Sequence, residues 1–95
     1  MPYYVYILAS CRNGTLYIGS TSDLIARVWQ HKNKIREGFT ARYNVTQLVH
    51  LEEFDEAGMM AQREKRLKEW KRSWKIQLIE KHNPQWEDLY EKLVT

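Results

Sequence analysis

The feature that most restricts this chain is its opening run, Tyr3 to Ala9, which reads YYVYILA without a polar interruption. Aromatic and β-branched residues in an unbroken run suit a strand covered on both faces. Arg12-Asn13-Gly14 follows with turn chemistry, because Asn-Gly takes the positive φ values that a tight hairpin requires. Thr15 to Ser20 reads as the returning strand.

The register of this hairpin decides which side chains meet. If its loop holds an even number of residues, opposite partners have odd summed numbers, and Tyr4, Tyr6 and Leu8 share a face with Thr15, Tyr17 and Gly19. Tyr6 and Tyr17 then project together, and Gly19 leaves open space beside them. An odd loop would separate the two tyrosines.

Thr21 or Ser22 can cap a following helix, with Asp23 at its positive end. Leu24, Ile25, Val28 and Ile35 recur at helical spacing, so the first helix is expected to reach about Lys34. Arg27 and His31, one turn apart, flank that stripe without belonging to it. KNKIREGFTARYN reads as a basic loop, and Val45 to Phe54 as a third strand. Asp55 or Glu56 then opens a helix with Ala57, Met60, Ala61 and Leu67 as its apolar face, and Glu64 near the middle of that stripe. A bend is expected at Ser73, then a helix carrying Trp74, Ile76, Leu78 and Ile79 to Asn83-Pro84, with a last turn or two within 86–93. The expected fold is α+β, a three-stranded antiparallel sheet flanked by helices in the order β-β-α-β-α-α.

Ninety-five residues suit one domain, 1–95, and 43% hydrophobic residues with four Trp and six Tyr supply a core. The net charge of +3 is mild, but seven of the fifteen basic residues lie between Arg63 and Lys75, downstream of the acids Glu52, Glu53, Asp55 and Glu56. Cys11 is the single cysteine, and the sequence shows neither a signal-peptide pattern nor an apolar run long enough for a bilayer. A reduced, cytoplasmic setting is the simplest expectation.

Glu64 is the residue a purely structural account handles least well, because a carboxylate taken from water costs several kcal/mol unless paired or bound to a metal. The ordinary partner is Lys68, one turn later, worth about 0.2–0.5 kcal/mol as an exposed pair. Tyr6 and Tyr17 are equally ordinary as packing residues, and Arg27 with His31 as a solvated flank. Together, however, a tyrosine base, a guanidinium and a carboxylate-held cation are the parts that phosphodiester hydrolysis needs.

Their order and spacing resemble the GIY-YIG nuclease superfamily. Tyr4-Val5-Tyr6, ten residues, Tyr17-Ile18-Gly19, then Arg27, His31 and Glu64 follow its pattern. The segments YYVYIL, YIGSTSDLIARVWQH and AQREKRLKEW are similar to those of its small stand-alone bacterial members. The resemblance implies Tyr6 as general base toward water, Tyr17 lining the same site, Arg27 steadying phosphate, and Glu64 holding one divalent metal, Mg2+ or Mn2+. Arg27 and the metal would both favour the Tyr6 phenolate over its ordinary state, with a pKa of about 10. His31 is similar to a family position that touches phosphate or relays a proton, and Asn83 to one near the metal. Thr40 and Tyr43 are carried over without an assigned role.

The first motif departs from the family name, with Tyr4 in place of glycine and Val5 in place of isoleucine, which bears on substrate geometry. The implied activity is a metal-dependent endonuclease acting on DNA with little sequence specificity, with branched, nicked or single-stranded DNA and repair as candidate contexts. Nucleic-acid contacts are expected from Lys32, Lys34, Arg36 and Arg42 in the basic loop and from Arg63, Lys68 and Lys71 on the later helix, with steep salt dependence. A protein partner supplying specificity would complete that picture. The rival class is a nucleic-acid-binding or protein-interaction adaptor that keeps the fold without useful catalysis.

Overall fold

The computed structural model describes residues 2–35 and 38–95. Its hairpin is made of β1, Tyr3–Ala9, and β2, Leu16–Thr21. Six residues separate the paired ends Ala9 and Leu16, so the loop is even and the register pairs Tyr6 with Gly19 and Leu8 with Tyr17. Asn13 takes the expected left-handed backbone, φ 60°, and the backbone N–H of Ser10 donates to Thr15 O at 3.0 Å to close the loop. After helices α1, Leu24–Lys32, and α2, Phe39–Arg42, β3, Gln47–Phe54, pairs antiparallel on the other side of β1. The sheet order β2-β1-β3 makes the unbroken apolar run its central strand.

Both faces of β1 are covered. Val5, Ile7 and Ala9 pack with Ile18, Val49, Leu67, Ile79 and Trp86. Leu67 and Ile79 come from α3, Ala57–Glu69, and α4, Arg72–His82. Tyr6 and Leu8 pack on the opposite face with Leu24, Val28, Val45 and Leu48, closed by Leu89, Tyr90 and Leu93 around α5, Tyr90–Val94. The pairing shifts between Ile7 and Leu8, which face His50 and Leu48 and leave Val49 as the extra residue of a bulge.

Several expectations are corrected. The cap of α1 is Asp23, whose Oδ1 accepts from Ala26 N at 3.2 Å, while Thr21 Oγ1 accepts from Asp23 N at 3.0 Å and sets the turn before it. The buried stripe of α1 is Leu24, Val28 and His31, so His31 belongs to it, whereas Ile25 and Ile35 are exposed. The helix ends at Lys32, short of Ile35, and Ile25 sits about 100° around from Leu24. On α3 Ala57 and Ala61 are exposed, and the inward stripe runs through Met60, Arg63, Glu64 and Leu67. The bend falls at Trp70 and Lys71, both extended with ψ 149°, rather than at Ser73. A four-residue helix, α2, occupies part of the stretch expected as loop.

Arg63 on α3 is committed to β3. Its guanidinium donates to Glu52 at 2.8 and 3.0 Å, and His50 Nε2 lies 2.8 Å from the same carboxylate. Burial opposes ionisation of Glu52, but the bonds from His50 and Arg63 prevail and bring its pKa from 4.5 to about 2. The resulting stabilisation is complete above pH 4.5 and is lost as pH falls toward 2. We expect Glu52→Gln to remove about 3 kcal/mol at neutral pH and to flatten the acid limb of the stability profile. Urea unfolding of wild type and variant across that range would check this, and parallel acid limbs would refute it.

Candidate active site

The site forms at β2, the edge strand, where Gly19 keeps a space open. A Cβ built on Gly19 would stand 2.5 Å from the Tyr6 hydroxyl oxygen and 3.0 Å from a Tyr17 ring carbon. Tyr6 therefore reaches across the glycine opposite it and lays its phenol tip against the backbone of β2. The rings of Tyr6 and Tyr17 lie 6.4 Å apart, and His31 stands 5.9 and 5.4 Å from them. The three rings form one cluster.

Within it His31 bridges two hydroxyls. Its Nε2 lies 3.1 Å from the Tyr6 hydroxyl and its Nδ1 2.9 Å from Thr40 Oγ1. When Nδ1–H donates to Thr40, Nε2 accepts from Tyr6; in the other tautomer Thr40 donates and Tyr6 accepts. Thr40 is buried on α2, inside the stretch read as a basic loop, and only the short helix brings it under His31.

Burial pushes the Tyr6 phenol up to about 12, with Tyr17 and Glu64 adding to the shift, while the charge and hydrogen bonding of Arg27 oppose it without prevailing. The expectation that Arg27 brings the phenol down thus holds in sign only. Full burial of the ring, with no exposed surface left, outweighs one guanidinium.

Glu64 comes to this edge from α3. The Ser20 hydroxyl donates to Glu64 Oε1 at 2.6 Å, and Lys68 Nζ lies 3.0 Å from Oε2. Burial opposes the charge, but the bonds from Ser20 and Lys68 prevail and hold this carboxyl below its usual value. Ser20 had no signal in the sequence beyond its place next to Gly19. Among the described residues no group of three or more His, Cys, Asp or Glu side chains could hold a metal. One ionised carboxylate beside a hydroxyl nevertheless suits a magnesium-like ion, which commonly keeps waters and completes its shell with substrate phosphate.

The remaining expected residues are scattered. Asn83 lies across the sheet on the β3 side, buried, where its Nδ2 donates to Val49 O at 3.1 Å and Glu87 O at 2.9 Å and its Oδ1 accepts from Glu87 N at 3.0 Å. It fastens the chain after α4 to the bulge. Lys32 pairs with Asp88 and lies over the Tyr90 ring, and Arg63 is held by Glu52. Lys34 and Lys71 are exposed, with Lys71 over Trp74, and Arg42 lies over Tyr43. Arg36 lies outside the described residues.

Two tyrosines, a histidine and a carboxylate thus gather around the edge-strand glycine. The model of the GIY-YIG catalytic domain matches residues 2–77, and the chain belongs to the GIY-YIG family. It is 39% identical to a UPF0213 protein of Syntrophus aciditrophicus, over 86% of this chain and 93% of that one. To a UPF0213 protein of Natronomonas pharaonis it is 36% identical, over 81% of this chain and 89% of the relative. The solution NMR structure of the UPF0213 protein BH0048 from Bacillus halodurans superposes with a TM-score of 0.58 at 28% identity, over 93% of each chain. No helix among the described residues is long and apolar enough to cross a membrane.

Proposed function

We propose that this chain hydrolyses phosphodiester bonds of DNA, with Tyr6 as general base, His31 as the acceptor of its proton, Arg27 on the phosphate and Glu64 as metal ligand. The observation that carries this reading is the Tyr6 hydroxyl held 3.1 Å from His31 Nε2 beside Gly19. A phenol with a pKa of about 12 is almost wholly protonated at neutral pH, so it cannot act as base by first giving its proton to solvent. With Nδ1–H donating to Thr40, His31 Nε2 can take that proton once the attacking water reaches the phenol oxygen, which the fold covers fully. Proton transfer is then stepwise along one chain of hydrogen bonds.

Arg27, one turn before His31, favours the developing phenolate and presents forked donors to non-bridging phosphate oxygens. A divalent metal on Glu64, magnesium or manganese, would neutralise charge developing on the leaving oxygen. Lys68, 55% exposed, can leave Glu64 Oε2 at small cost when that oxygen is needed. Little sequence specificity is expected of a site built from backbone-directed groups.

Labelled duplex, nicked, branched and single-stranded DNA incubated with magnesium, manganese or chelator tests the reading. Cleavage should need the metal, and Glu64→Gln and Arg27→Ala should each lose about 100-fold or more in rate. Equal cleavage by wild type and both variants, or none of any substrate by wild type, would overturn it.

A further inference from the structure

Beside the catalytic cluster the free edge of the sheet carries a groove that shares Tyr17 with that cluster and Lys68 with Glu64. It has a volume of about 340 Å³ and is lined by Leu16, Tyr17, Ile18, Phe39, Lys68 and Lys75. That size is at the lower end for small-molecule sites. Phe39 is 48% exposed, yet its ring lies near-parallel to that of Tyr17, at 28° and 6.5 Å. Tyr43, 49% exposed, continues the row 4.9 Å from Phe39, with the Arg42 guanidinium 5.6 Å from its centroid. These half-exposed rings with cations beside them leave apolar surface that the packing among the described residues does not cover.

We infer that this groove is a subsite for an unpaired nucleotide, whose base stacks on Phe39 while Lys68 and Lys75 meet its flanking phosphates. The inference rests on the reading that the neighbouring site acts on nucleic acid, and it sharpens the class of substrate. Aromatic rings take any base face, and lysines supply the complementary charge. In an intact duplex both faces of each base are already stacked, so Phe39 gains nothing unless a base leaves the helix. Because Tyr17 belongs both to the groove and to the catalytic cluster, a base seated on Phe39 lies next to the phosphate to be cut. Single strands, flaps and ends are favoured over continuous duplex.

The test uses the full chain carrying Glu64→Gln, so that cleavage does not interfere. Anisotropy titrations compare a fluorescein-labelled oligothymidine, the same strand made abasic at its centre, and a duplex of equal length. We expect about 10-fold tighter binding of the strand than of the duplex, an abasic strand that binds like the duplex, and quenching of 2-aminopurine placed at the centre. Phe39→Ala should lose about 10-fold or more on the strand and less than about 2-fold on the duplex, whereas Phe39→Trp should retain strand binding. Exposure of Phe39 means both variants should fold, and their melting curves check it. Equal affinity for strand and duplex, or equal losses on both in Phe39→Ala, overturns the subsite. If hydrolysis fails with wild type, the strand preference still stands. If only the stacking fails, cleavage survives without a preference for unpaired DNA.

Discussion

Replacing Tyr6 by phenylalanine is expected to lower the single-turnover cleavage rate by about 1000-fold while leaving the fold intact. The phenylalanine ring keeps the packing against Leu8, Leu24 and Val28 and removes only the hydroxyl. The stability cost should be about 1–3 kcal/mol, because the buried His31 loses the partner it has at 3.1 Å. A large kinetic effect with a small thermal one is the signature of a reacting group.

The pH profile separates the proton-transfer routes. With His31 as acceptor, the wild-type rate should not track the ionisation of the phenol, which stays protonated up to about 12. With His31→Ala, Tyr6 must give its proton to solvent, and the rate should fall and then rise about tenfold per pH unit from about pH 6 to about pH 10. A wild-type profile with that same unbroken rise would remove His31 from the chemistry.

Gly19→Ala carries the second large effect. Its Cβ would meet the Tyr6 hydroxyl at 2.5 Å and ring carbon Cζ at 2.7 Å, and both belong to a fully buried side chain already held by His31. The phenol must give way. Overpacking of this kind costs about 1–3 kcal/mol, and moving the hydroxyl by about 1 Å costs about 100-fold in rate. Gly58→Ala on α3 is the control, because a Cβ there meets nothing within 4 Å. Denaturant unfolding and cleavage measured on both variants would decide this, and an active Gly19→Ala would show that the tyrosine does not need its present position.

The hairpin was legible because its determinants are local. Asn13 turns the chain with a positive φ, although Gly14 does not share it and the loop runs to six residues instead of a tight turn; the even loop then places Tyr6 and Tyr17 on one face. The motif spacing likewise identified the residues that meet there, since Tyr6, Tyr17 and His31 do converge. The stripe on α3 held for Met60, Glu64 and Leu67 and failed at the two alanines, because alanine weighs as apolar in a periodicity yet buries little surface. Ala57 and Ala61 could be left in solvent while Arg63 and Glu64 turned inward to polar partners. Asn83 carried a family expectation, but its buried amide is consumed by backbone groups on the far side of the sheet.

The sequence by itself determined the strands and, for an even loop, the pairing of the tyrosines beside Gly19, because strand composition and turn residues act over neighbours along the chain. Apart from the Glu64–Lys68 pair one turn apart, only the tertiary structure decided what the charged and polar side chains meet. Ser20 reaches Glu64 across 44 positions, and Thr40 reaches His31 because a short helix inside a basic stretch folds beneath it. Such partnerships depend on how α2 and α3 dock on the edge strand, and docking leaves no periodic imprint in the order of residues.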